Sequence, residues 1–149
     1  MIKALASGLI GAVVLTLVHE SARKVSREAP RVDLLGEQAI AETLEAFNLE
    51  SPPEESLYGL SLAGDLASNA LYYSLVGAAG RENAILTGVV LGAVAGLGTV
   101  FLPGKIGLDN DLSAKTTNRA AMTVAWYTLG GLAAGFAYNL LDGNADEDY

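Results

Sequence analysis

Residues 57–77 read LYGLSLAGDLASNALYYSLVG, and the reading of this stretch decides the fold. It is long and apolar enough to cross a bilayer as a helix, yet Asp65 and Asn69 sit well inside it. An ionised carboxylate at bilayer depth costs about 2.5–3.5 kcal/mol or more, so it needs a partner or a proton. Asp65 and Asn69 are four apart with Ser61 and Ser68 beside them, a spacing that predicts one shared helix face. That face should look into protein, with other membrane helices around it.

The rest of the composition agrees with a bilayer setting. Half of the 149 residues are apolar, only 17% are charged, and mean hydropathy is positive. Most of the 17 glycines fall inside apolar runs, where a soluble helix avoids them and a membrane helix uses them for close packing. The chain has no cysteine, which excludes disulfides, thiolate metal sites and a cysteine nucleophile. The net charge of −8 argues against a nucleic-acid partner.

Outward from the central stretch, four spans are predicted, at about 4–22, 57–78, 83–102 and 119–141. A signal peptide is the competing reading of the first. Against it, the run lacks a small-x-small cleavage site, has only Lys3 before it, and is followed by Arg23, Lys24, Arg27 and Arg31. Between the first two spans, residues 33–48 carry Leu34, Leu35, Ala39, Ile40, Leu44 and Phe47 at helical spacing, with Asp33 as expected N-cap. They predict an amphipathic helix on the bundle or at the membrane surface. Ser51-Pro52-Pro53-Glu54 fits a capping box, starting the second span near Pro52. Arg81 and Glu82 mark a short turn into the third span, where Gly88, Gly92 and Gly96 form a groove for another backbone. Thr123, Tyr127, Gly131, Gly135 and Asn139 step along one side of the fourth span, and an acidic tail follows at 142–149.

Loop charge sets the orientation. The first and third loops hold seven Lys and Arg residues, against Lys3 and Arg81 at the other side. The positive-inside bias places both termini on the non-cytoplasmic face. At the cytoplasmic end Thr16, His19, Glu20, Arg23, Arg119 and Thr123 join Asp65 and Asn69 as candidate site residues. Asp65 has His19, Arg119 or a threonine hydroxyl as possible partners, and spacing does not choose among them. The plainer reading makes Asp65 and Asn69 interhelical glue and pairs Glu20 with Lys24 at the membrane edge.

Catalytic and cofactor motifs are lacking. His19-Glu20 opens like HExxH but Arg23 replaces the second histidine, and Asp109-Asn110-Asp111 lacks the rest of a calcium loop. No metal and no cofactor are expected, and Asp109, Asn110 and Asp111 read as turn residues. Leu62–Ala70 can be laid on Leu129–Ala137 without gaps, which would set Asp65 and Asn69 against Leu132 and Phe136.

VLTLVHESARKVSREAPRVDLLGEQAI with LAGDLASNALYYSLVG resembles a group of small, uncharacterised bacterial membrane proteins with four predicted spans. The resemblance implies a bacterial inner-membrane setting and carries no activity. The expectation is an all-α bundle of four membrane helices in two antiparallel hairpins, embedded in lipid. In function it is expected to be a non-enzymatic structural or accessory subunit, self-associating through its glycine faces (Gly88, Gly92, Gly96, Gly131, Gly135). The alternative is a small transporter or channel-like protein working through Asp65 and Asn69.

Overall fold

The structure, a computed structural model, describes residues 1–143. The last part of the expected acidic tail, 144–149, lies outside the described residues. The described chain is all helix: α1 (Ile2–Val25), α2 (Val32–Ala46), α3 (Glu54–Tyr73), α4 (Ala84–Phe101), α5 (Asp111–Ala114) and α6 (Thr117–Gly143). Three segments are long and apolar enough to cross a membrane: α1, α4 with its preceding turn, and α6. At 24 and 27 residues, α1 and α6 extend about 36 and 40 Å. α3 is not among the three, because Asp65, Asn69 and its serines dilute its hydropathy.

α1, α3, α4 and α6 lie side by side and alternate in direction. At one end Lys3 of α1 pairs with Asp142 of α6 at 3.0 Å, and the Asn139 amide donates to the Arg81 carbonyl just before α4. At the other end, the loop after α1 meets the start of α6: Arg119 donates to the carbonyls of Arg27 and Glu28. The Ser113 hydroxyl joins α5 to the Thr99 carbonyl near the end of α4. The seven basic loop residues therefore collect at this second end, as the loop-charge count implied.

Glycine sets the tightest contact. Gly88, Gly92 and Gly96 of α4 face Gly131, Gly135 and the Val124–Thr128 backbone of α6. A Cβ at Gly96 would lie 2.6 Å from the Val124 Cα, and one at Gly135 2.6 Å from the Ala84 carbonyl oxygen. The groove expected to receive another backbone is thus filled by α6 of the same chain. Opposite the glycines, Leu86, Val90, Val94, Leu97 and Phe101 stand exposed at spacings of three and four, and Leu5, Leu9, Val13 and Leu17 do the same on α1. Small residues inside and large apolar residues outside invert the pattern of a soluble bundle.

Leu15, Tyr73, Val76, Tyr127 and Ala134 make the core. The buried Tyr73 hydroxyl satisfies itself on the Tyr127 carbonyl at 2.7 Å, while Tyr72 donates to Leu91 at 3.0 Å. Tyr72 and Tyr73 thus both line the bundle. After Tyr73 the chain tightens into a 3-10 turn (Ser74–Ala79), and Gly80 turns it at φ 73°, a conformation that suits only glycine comfortably.

Several boundaries correct the sequence reading. α3 starts at Glu54 with no side-chain cap, so the capping box does not form, and its α-helix ends at Tyr73, short of the expected 78. α2 starts at Val32, with Arg31 as N-cap, and Asp33 lies within the first turn. Its Cβ-side carboxylate turns back to Arg31 rather than capping. α2 ends in a Schellman motif: Asn48 takes φ 56°, its N–H bonds the Glu45 carbonyl and that of Leu49 bonds Leu44. The proposed pairing of Leu62–Ala70 with Leu129–Ala137 does not carry over to surroundings, since Asn69 is buried and Phe136 half exposed.

Candidate functional site

α3 packs along α1 but scarcely touches α4, so the two helices diverge below the Tyr72–Leu91 hydrogen bond. The divergence leaves a cavity of about 550 Å³, a size that suits a small molecule. α2 roofs it with Leu35, Gly36 and Ala39, and Leu62, Ala95, Gly98 and Leu108 give it apolar walls. Gly36 allows the roof to sit close, because a side chain there would run into the Ser61 hydroxyl. Val94, Leu102 and Ile106 also line the cavity and are each more than half exposed, so it opens sideways onto the apolar outer surface.

Polar groups enter this cavity from several helices, Asp33 of α2 and Tyr127 of α6 among them. Thr16, His19 and Glu20 come from α1, Ser61, Asp65 and Tyr72 from α3, and Thr99 from α4. His19 is 9% exposed, with its ring 5.2 Å from that of Trp126 and edge-on to Tyr127 at 5.6 Å. Its Nε2 and the Thr16 hydroxyl are both buried without a hydrogen-bond partner. Buried polar atoms are nearly always paired, so these two are available to something that enters.

Asp65 Oδ1 accepts a hydrogen bond from the Asn69 amide at 2.8 Å, which also donates to the Asp65 carbonyl at 3.0 Å. The i, i+4 spacing thus produces the contact it implied. Among the described residues no Lys, Arg or His nitrogen pairs with Asp65. Of its candidate partners, Arg119 and Thr123 are bonded elsewhere, while His19 and Thr16 line the same cavity with buried polar atoms that bond neither Asp65 nor any other group.

The expected constellation therefore divides. His19, Glu20, Ser61 and Asp65 line the cavity, and Asn69 orients Asp65 from behind. Ser68 does not share their surroundings: it is exposed and donates to the Asp65 carbonyl, because α2 covers α3 only as far as Ser61. Arg119 clamps the carbonyls of Arg27, Glu28 and Asp111, and Thr123 donates to those of Ser113 and Arg119. Both hold loops in place and stay out of the cavity.

A polar network that spacing did not reveal closes the roof. Arg23 Nη2 pairs with Glu20 at 2.6 Å and donates to the Tyr58 hydroxyl at 3.1 Å, and Nη1 lies 3.5 Å from Asp33. The guanidinium also sits 5.4 Å from the Tyr58 ring centroid. Glu20 thus pairs with Arg23 rather than with Lys24. Arg31 grips Asp33 with two hydrogen bonds of 2.9 and 2.7 Å, the forked geometry that arginine favours with carboxylates. Burial pushes the Asp33 carboxyl up, but the Arg31 bonds and charge outweigh it and hold it below the usual carboxylate range. The network joins α1, α2 and α3, and its links between helices, from Arg23 to Asp33 and to Tyr58, span 10 and 35 positions. Among the described residues no group of three or more His, Asp or Glu could hold a metal ion.

No protein-family model, curated protein or solved structure matches the chain, so its functional reading rests on these residues alone.

Proposed function

We propose that this chain is a small polytopic membrane protein that takes up a small molecule, with an apolar body and a polar group, through the cleft between α3 and α4. It binds and passes on that molecule without chemically changing it. One observation carries the reading: a cavity of about 550 Å³ opens to the apolar surface and holds His19, Thr16 and Asp65 with polar capacity unused. A purely structural bundle gains nothing by leaving such groups unsatisfied, since each costs roughly 1–3 kcal/mol. In this proposal α3 is the fourth crossing. Its antiparallel course along α1 supports that, and its low hydropathy follows from facing the cleft as well as lipid.

The cysteine-free chain makes the test direct. Gly98→Cys places a thiol on the cleft wall, where a Cβ meets only the end of Leu102 at 3.6 Å. Ala134→Cys places one in the fully buried core. A small uncharged maleimide should modify the first and spare the second in mild detergent. Equal protection of both thiols would mean a closed cleft and end the reading.

The proposed setting is the bacterial cytoplasmic membrane, with the basic end inside and both termini outside. A reporter active only in the cytoplasm, fused after Tyr149, should then stay silent.

A second reading, an accessory role through self-association, draws on a different surface. Gly59, Ala63, Gly64, Ala67 and Ser68 make an exposed small-residue face on α3, where α1 and α4 present large side chains. Such a face lets a helix of a second copy approach. Ala63→Cys should then cross-link between copies in membranes, and Gly64→Leu should abolish the cross-link.

A further inference from the structure

We infer that the molecule taken up by this cleft is a lipophilic organic cation, such as an amine or onium carried on an apolar body, and that Asp65 is its charge partner. The inference rests on the uptake reading above and names its ligand class.

The charges around the cavity lead to it. Glu20 and Asp33 both line the space, but each is already matched: Glu20 by Arg23 at 2.6 Å, Asp33 by Arg31 at 2.7 Å and by Arg23 at 3.5 Å. The terminal nitrogens of Arg23 are likewise committed to these two carboxylates and to Tyr58, and only its buried Nε–H is without a partner. Asp65 is the only charge-bearing side chain on the cavity wall whose hydrogen bonding is confined to a neutral group, the Asn69 amide. That amide spends its donor on Oδ1, leaving the second carboxylate oxygen open to a ligand. A carboxylate in an apolar, sideways-open cavity gains most from a cation that brings its own apolar surface.

The remaining lining fits the same class. Tyr72 and Tyr127 add aromatic rings to the wall, and ring faces attract cations, most strongly where water is scarce. The unpartnered His19 Nε2 and Thr16 hydroxyl offer hydrogen-bonding atoms to a ligand. The one cation that an anionic ligand finds among the lining residues, Arg23, has its charge already matched by Glu20 and Asp33 with only Nε–H unbonded, and such a ligand would approach Asp65 against repulsion.

The test uses two probes of matched size and opposite charge, tetraphenylphosphonium and tetraphenylborate, with the full chain in neutral detergent. Equilibrium dialysis against protein-free micelles reads binding. The phosphonium should bind saturably and the borate should not. Asp65→Asn keeps the shape and the Asn69 contact, and should weaken the phosphonium by about ten- to a hundredfold. Gly98→Leu, which fills the cleft, should abolish it, and Glu42→Gln on the outside of α2 should leave it unchanged. Circular dichroism and elution volume establish that each variant is folded. Equal binding of both probes, or phosphonium binding that survives Asp65→Asn, overturns the cation assignment and leaves the cleft standing. If neither probe binds, the assignment falls, and the Gly98→Cys labelling shows whether the uptake reading falls with it.

Discussion

α4 meets its two neighbours in opposite ways. Against α6 it presents Gly88, Gly92 and Gly96, and the backbones close until no side chain fits between them. Against α3 it presents Leu91, Val94, Ala95 and Gly98, and the helices part around a cavity. The difference teaches that small residues close a helix pair only when both helices supply them in register. Gly131 and Gly135 of α6 answer the glycines of α4; along the cleft, α3 answers with Ser61, Leu62, Asp65 and Tyr72.

The contrast is broken most severely at Gly92. A leucine there drives its Cβ into the Thr128 backbone, whose Cα would lie 2.6 Å away, and neither helix can yield without opening the seam. We expect Gly92→Leu to cost about 3 kcal/mol or more and to abolish the monodisperse peak in mild detergent. Gly98→Leu on the cleft side of the same helix should elute normally. If both variants elute alike, the seam and the cleft are not packed differently.

Next in size is the roof. Asp33→Ala removes the carboxylate shared by Arg31 and Arg23 and should destabilise α2 by roughly 1–2 kcal/mol, modest because Arg31 is partly in water. Amide hydrogen exchange across α2 should accelerate while the α4–α6 seam is unaffected. The same contact sets a pH dependence. Because Asp33 titrates below its ordinary value, its contribution is complete above about pH 4 and is lost as pH falls through the lowered value. Acid should therefore loosen α2 before it touches the glycine seam.

Smaller effects sharpen the picture. Tyr73→Phe deletes the hydroxyl that bridges α3 to the Tyr127 carbonyl and should cost about 1 kcal/mol in unfolding by denaturant. Gly64→Ala lies on α3 where an added Cβ meets nothing within 4 Å, and should stabilise the helix by roughly 0.5–1 kcal/mol. A loss at Gly64 would mean that its outer face is covered in the working protein.

The site was legible in the sequence in part, through contacts that follow from spacing along one helix, although Glu20 took Arg23 in place of Lys24 and Ser68 fell outside. Asp65 and Asn69 meet because residues four apart stack, and the glycines of α4 line up for the same reason. Contacts between helices were not legible. Arg119 and Thr123 were expected beside Asp65 from the span order, but the connection through α5 gives them backbone carbonyls to bind first. Arg23, Arg31, Asp33 and Tyr58 come together only because α2 folds back over α1 and α3.

Composition and periodicity by themselves determined that the described chain is all-α, that three of its segments are apolar enough to cross a membrane, and which end collects the basic loops. Those properties depend on local backbone preference and on transfer of side chains from water, both of which act residue by residue. Only the tertiary structure decided that the glycines serve α6 of the same chain, and that α3 stands off from α4 to leave Asp65 beside a cavity without a countercharge. Packing is a property of two facing surfaces at once, and one helix read alone does not say what the other will offer.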